Sequence, residues 1–156
     1  MTDTASSLYY YERITCSVQW RAFGPALAAE LADGLPQDEL RALFFRIGQR
    51  VAGGSPLPKV DTVVELQSAF NAHWSAVEWG FTTLQETDEH LVLTHDCSPL
   101  AMAFGPPALP WTAGFFEGAY QTWFVAQGIP HQLRVRADDA ETPSSRVVLK
   151  LGRFAA

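Results

Sequence analysis

The sequence is poor in cysteine, in basic residues and in long apolar runs. Cys16 and Cys97 are its two cysteines among 156 residues. They allow one disulfide at most, not the bridge framework of a small secreted domain, and a reducing compartment is expected. Lys and Arg number 11 against 17 Asp and Glu, for a formal charge of -6. A chain of that sign is ill suited to counterion release, so DNA, RNA and anionic lipid are set aside as partners. No apolar run reaches the roughly 18 residues of a membrane span. The first seven residues carry no Lys or Arg, and Glu12 and Arg13 interrupt the apolar stretch that follows. No secretory leader is therefore visible, and the expectation is a cytoplasmic chain whose residues 1–7 are disordered. A phosphate-cradling loop is missing as well: Gly48, Gly53 and Gly54 follow no strand, and neither a Walker lysine nor GxGxxG occurs.

Apolar and aromatic side chains are plentiful. Hydrophobic residues make up 47% of the chain, with ten Phe, five Trp and four Tyr. That composition excludes a disordered chain, and the length suits one domain spanning 1–156 that buries about two thirds of its unfolded surface.

Periodicity divides the chain into elements. Phe23, Leu27 and Leu31 recur at four-residue spacing over 20–35, with Gly24-Pro25 either starting or bending that helix. A second helix after Pro36 carries Leu40, Leu43, Phe44, Ile47 and Val51 on one stripe. A third opens on a Thr62/Glu65 capping box and presents Val63, Leu66, Phe70, Trp74 and Val77 opposite Asn71, Ser75 and Glu78. Past Gly80 the period falls to two over 81–87 and 90–96, an antiparallel hairpin with Leu91, Leu93 and His95 on one face. Residues 98–111, with five Pro and Gly, read as a stiff loop. A fourth helix over 112–127 precedes two further strands, 131–138 and 145–153. The order α-α-α-β-β-α-β-β predicts an α+β domain with a four-stranded, mostly antiparallel sheet.

Few residues suggest chemistry. His95 and Cys97 lie two apart on an extended segment and face the same way, which suits a thiolate–imidazole pair or half a zinc site. His90 points to the opposite face and no third ligand lies nearby in sequence, so a structural role stands beside the chemical one. His73 reads as a buried or interface imidazole or, alternatively, a haem ligand lacking a Cys-x-x-Cys-His companion. Cys16 reads as a small packed side chain, and His131 has no partner in sequence. Asp38-Glu39, Asp88-Glu89 and Asp138-Asp139 sit where caps and turns favour carboxylates. Glu117 lies amid Phe115, Phe116 and Tyr120 as either a functional or interface acid or a solvent-facing one. The fourth helix carries aromatics over two adjacent stripes, wider than one core face needs, which predicts homo-oligomerisation through it. Tyr9, Tyr10 and Tyr11 cannot all face one core, so at least one is expected to meet a ligand or partner.

Trp79-Gly80 after the third helix, then the hairpin, then Glu117-Gly118-x-Tyr120-x-x-Trp123, resemble the D-subunit family of the bacterial cellulose synthase complex over about residues 8–153. The resemblance implies a non-catalytic accessory component without cofactor or metal. It implies a ring-like octamer, a tetramer of dimers, whose N-terminal segments line passages for β-1,4-glucan chains. It also implies roles in export, crystallisation and the arrangement of synthase complexes, alongside other subunits and a small organising partner protein. Trp79, Gly80, Glu117, Gly118, Tyr120 and Trp123 match the family pattern and are expected to be architectural. The passage-lining role would fall on Leu8, Tyr9, Tyr10, Tyr11 and Arg13. Two other classes compete: a small-ligand sensor with an apolar pocket containing His73, His95 or Cys97, and an enzyme using His95 and Cys97.

Overall fold

The computed structural model describes residues 7, 10–11, 13–138 and 145–155. The expected disorder of 1–7 falls, apart from Ser7, outside these residues, as do Leu8 and Tyr9. After a helical stretch that includes residues 10–11 and 13–15 come three longer helices: α1 (Trp20–Gly34), α2 (Gln37–Gly54) and α3 (Val63–Ala76). Strands β1 (Phe81–Glu86) and β2 (Leu91–Asp96) follow, then short helix α4 (Leu100–Phe104) and a 3-10 turn at Pro106–Ala108. After the one-turn helix α5 (Leu109–Thr112) come α6 (Gly114–Ala126), β3 (Arg134–Ala137) and β4 (Val147–Gly152). The result is the expected α+β order, with short helical pieces added between β2 and α6.

Those pieces correct the reading of 98–111 as a loop. Each proline there stands where a helix needs no N–H: Pro99 is the N-cap of α4, Pro106 and Pro107 open the 3-10 turn, and Pro110 lies in the first turn of α5. Prolines therefore divide the segment into short helices, and the fourth long helix starts at Gly114. In α1, Pro25 lies inside a helix that runs on both sides of it. The Thr62/Glu65 capping box forms in full at the start of α3.

The sheet has the order β1-β2-β4-β3, every neighbour antiparallel. On its inner face Leu93, His95, Val147 and Leu149 are fully buried. Helix α6 is the hub of the core, with all but three of its 13 residues buried. It crosses α2 at backbone distance: a Cβ on Gly118 would stand 1.9 Å from the Phe45 carbonyl oxygen, and one on Gly48 2.0 Å from that of Phe115. The broad aromatic stripe of α6 is thus consumed within one copy of the chain. Phe115, Phe116, Tyr120, Trp123 and Phe124 are each at most 5% exposed. The inference that this helix drives oligomerisation is corrected accordingly: α2, α3 and the sheet already surround it, and α1 carries the exposed apolar surface instead.

Both edges of the sheet are closed by helix side chains spaced four residues apart. On β1, Asn71 pairs with both backbone groups of Thr82 (2.7 and 2.9 Å), and Gln67 accepts from the Leu84 N–H (2.8 Å). On β3, Gln121 accepts from Val135 N–H (2.8 Å) and donates to Leu133 O (3.0 Å), and Glu117 accepts from Ala137 N–H (2.9 Å). An i,i+4 pair on a helix lies on one face at about one turn's rise, close to the spacing of every second strand residue, so two side chains can replace a missing neighbouring strand. Asn71, expected on the polar outer face of α3, serves this edge.

Candidate functional site

His95 sits at the centre of a buried chain of hydrogen bonds. Its Nε2 faces the Trp79 carbonyl oxygen at 2.6 Å, and its Nδ1 faces the Tyr120 hydroxyl at 2.7 Å. A carbonyl only accepts, so the proton belongs on Nε2, and Nδ1 accepts from Tyr120. The same hydroxyl accepts from Trp74 Nε1–H at 3.0 Å. Four residues from α3, α6, β2 and the α3–β1 connection are thereby joined with every partner satisfied by neutral groups. Burial lowers the His95 pKa to about 4, against the Trp79 carbonyl and the Asp96 charge, which favour the cation. Burial likewise raises that of Tyr120.

With both ring nitrogens occupied, His95 does not form the imidazole–thiolate pair considered from sequence. Cys97, the residue after β2, is in a left-handed conformation at φ 58°. Neither cysteine is in a disulfide, and no cluster of three His, Cys, Asp or Glu suited to a metal occurs among the described residues.

Glu117 is neither solvent-facing nor at the surface. It is 8% exposed and pairs with both Arg41 Nε and Arg41 Nη2, while Arg41 Nη1 donates to the Pro110 carbonyl at 2.6 Å. The Glu117–Arg41 pair thus ties α6, α2, the start of α5 and the β3 edge together. The other residues of the family pattern lie around the same core. Trp79 packs its ring on Phe115, and Gly80, at φ 83°, leaves no room for a Cβ against the Asp96 carbonyl. Trp123 donates to Ser55 O at 3.0 Å, fastening the end of α2.

An apolar groove stays open between α1 and α2, floored by α3 and α4. Its volume is about 670 Å³, and its lining includes Trp20, Phe23, Leu27, Ile47, Val51 and Val77. These side chains are 37–57% exposed although they are large and apolar. Helical periodicity marked most of them as core, because it identifies an apolar face without saying what covers it. At the floor lies His73, its Nε2 buried without a hydrogen-bond partner among the described residues and its pKa lowered by burial. The imidazole is wedged between the rings of Trp74 and Trp123. Sequence reasoning missed Arg41, Gln67 and Gln121; the four-residue spacing of Gln67 with Asn71 and of Glu117 with Gln121 was the available signal.

Of the passage-lining candidates, Tyr10 and Tyr11 are helical and more than half exposed, with rings in edge contact. Arg13 is exposed, and its carbonyl accepts from the Arg21 guanidinium. No helix among the described residues is long and apolar enough to cross a membrane.

A profile of the protein family described as the D subunit of cellulose synthase matches residues 6–152. Cellulose synthase operon protein D of Komagataeibacter xylinus is 28% identical over 107 residues, covering 67% of this chain and 69% of that protein. The protein of the same name from Komagataeibacter sucrofermentans matches to the same extent.

Proposed function

The chain belongs to the D-subunit family of cellulose synthase, and from that premise we propose that it is a non-catalytic accessory component of bacterial cellulose biosynthesis. On this reading residues 1–156 form a single domain that assembles as a tetramer of dimers on the cytoplasmic side of the synthase. It works there with other subunits of the complex and a small organising partner. It assists export and crystallisation of β-1,4-glucan and the arrangement of synthase complexes, and Leu8, Tyr9, Tyr10, Tyr11 and Arg13 border the glucan passage. The observation that carries the reading is the uncovered apolar groove. Its rows of half-exposed Trp, Phe, Leu, Ile and Val form a surface for association. The His95 chain and the Glu117 pair, the groups with the most reactive appearance, are spent on holding the fold.

The test replaces the resident family member of a cellulose-producing strain with this chain and with its Tyr9, Tyr10, Tyr11 triple alanine variant. The wild-type chain should restore cellulose yield and crystallinity, and the triple variant should lower one or both at normal particle mass. No restoration by the wild-type chain rejects the accessory role; unchanged values for the variant reject the tyrosine passage. The groove's volume and the unpartnered His73 Nε2 favour a second reading, a small-ligand binding module. In that case an amphiphile would copurify with the chain and be lost on changing His73 to Phe.

A further inference from the structure

The charges flanking the groove are sorted along its length. Beside the apolar row of α1 stand Glu30, three residues past Leu27, and Asp33, three residues further. Beside the apolar row of α2 stand Arg46, three residues past Leu43, and Arg50, three past Ile47. All four are exposed, and none makes an ion pair among the described residues. The one other charge on α1, Arg21, is tied to the Cys16 and Arg13 carbonyls. Asp38 and Glu39 open α2 next to Glu30 and Asp33, so the groove is acidic at the end where the two helices meet and basic along the far end of its α2 wall.

Position along the helices matters as much as sign. Only Leu35 and Pro36 separate α1 from α2, so the two helices leave a common corner and the groove opens between them. Glu30 and Asp33 lie at the corner end of α1, whereas Arg46 and Arg50 lie towards the far end of α2. We infer that the groove is filled by α1 of a second copy of this chain, related by a two-fold axis that sets the two α1 helices antiparallel. This rests on the reading of the chain as self-assembling and assigns the surface and the orientation.

An antiparallel mate brings its Glu30 and Asp33 to the far end of the groove, beside Arg46 and Arg50. The two-fold axis repeats the contact, so four acids meet four bases. A parallel mate would put acid beside acid at the corner and leave the arginines unmatched, an arrangement that like-charge repulsion penalises. Trp20, Phe23 and Leu27 of each copy then enter the other's groove and leave water together. Strand addition offers no competing route, since Gln67 with Asn71 and Glu117 with Gln121 occupy both sheet edges.

Charge exchange tests the orientation. One full-length variant carries Glu30→Arg with Asp33→Arg, a second Arg46→Glu with Arg50→Glu, and a third all four changes. Light scattering and sedimentation at matched concentrations read the mass, with far-UV circular dichroism as the check on folding. Each two-site variant faces like charges across the groove and should dissociate at a concentration raised roughly 100-fold or more. An equimolar mixture of the two should recover the wild-type interface, and so should the four-site variant, where every pair is opposite again. Retention of wild-type mass by either two-site variant overturns the proposal, as does failure of the mixture and the four-site variant to reassemble. If wild-type chain forms octamers that the changes leave intact, the groove assignment fails while the octamer stands. A wild-type dimer that the changes split keeps the groove and rejects the octamer. A monomeric wild type rejects both and leaves the groove to a helix of another protein.

Discussion

Changing Tyr120 to Phe removes one oxygen and leaves the ring, so it isolates the hydrogen-bond chain from packing. The hydroxyl accepts from Trp74 Nε1–H and donates to His95 Nδ1, all within a region where Trp74, His95 and Tyr120 are each at most 1% exposed. Its loss strands one donor and one acceptor away from water. Each unsatisfied buried group costs about 1–3 kcal/mol, against which stands only the easier burial of a phenyl ring, so the net loss is about 2–5 kcal/mol. For a chain of this size that lowers the midpoint by roughly 5–15 °C. Replacing His95 by Leu strands a different pair, the Tyr120 hydroxyl and the Trp79 carbonyl. The double variant strands only Trp74 Nε1–H and the Trp79 carbonyl, two groups instead of the four counted by adding the single changes. The double should therefore be more stable than additivity predicts by about 2 kcal/mol or more. Urea unfolding followed by circular dichroism, with protein concentration fixed because assembly contributes to stability, measures all four corners of the cycle. Additive losses, or a Tyr120→Phe cost below about 0.5 kcal/mol, would refute the chain as a coupled unit.

Two further outcomes follow from the same core. His95 has a folded pKa of about 4 against an ordinary value of 6.5, so between these values the unfolded chain binds the extra proton. Stability should be fully present above pH 6.5 and fall by about 3 kcal/mol as the pH drops towards 4, with the slope reduced in the His95→Leu variant; an unchanged slope there would assign the loss to other groups. Gly118→Ala should cost about 3 kcal/mol or more or prevent folding, since its methyl would stand 1.9 Å from the Phe45 carbonyl in the α2–α6 crossing; a loss under about 1 kcal/mol in urea unfolding would show that the two helices separate readily.

Local signals in the sequence determined the elements. The Thr62/Glu65 box started α3 where it starts, the switch from a four-residue to a two-residue period located the β1–β2 hairpin, and both survive in the fold because each depends on residues within a few positions of one another. The prolines of 98–111 were visible too, but their meaning depended on whether each fell at a helix start, which packing against α1 and α2 decided. The family pattern around Trp79 and Glu117 named the kind of protein. Sequence alone did not place Glu117 opposite Arg41, 76 residues away, or turn Gln67 and Asn71 into substitutes for a strand. Nor did it separate the two aromatic surfaces. Phe116 and Trp123 on α6 and Trp20 and Phe23 on α1 have the same apolar character and both pairs recur at helical periods, yet the first pair is sealed and the second half exposed. Periodicity records that a face is apolar; only the arrangement of all the other elements fixes how much of it they cover, and the uncovered remainder lies on α1 and α2.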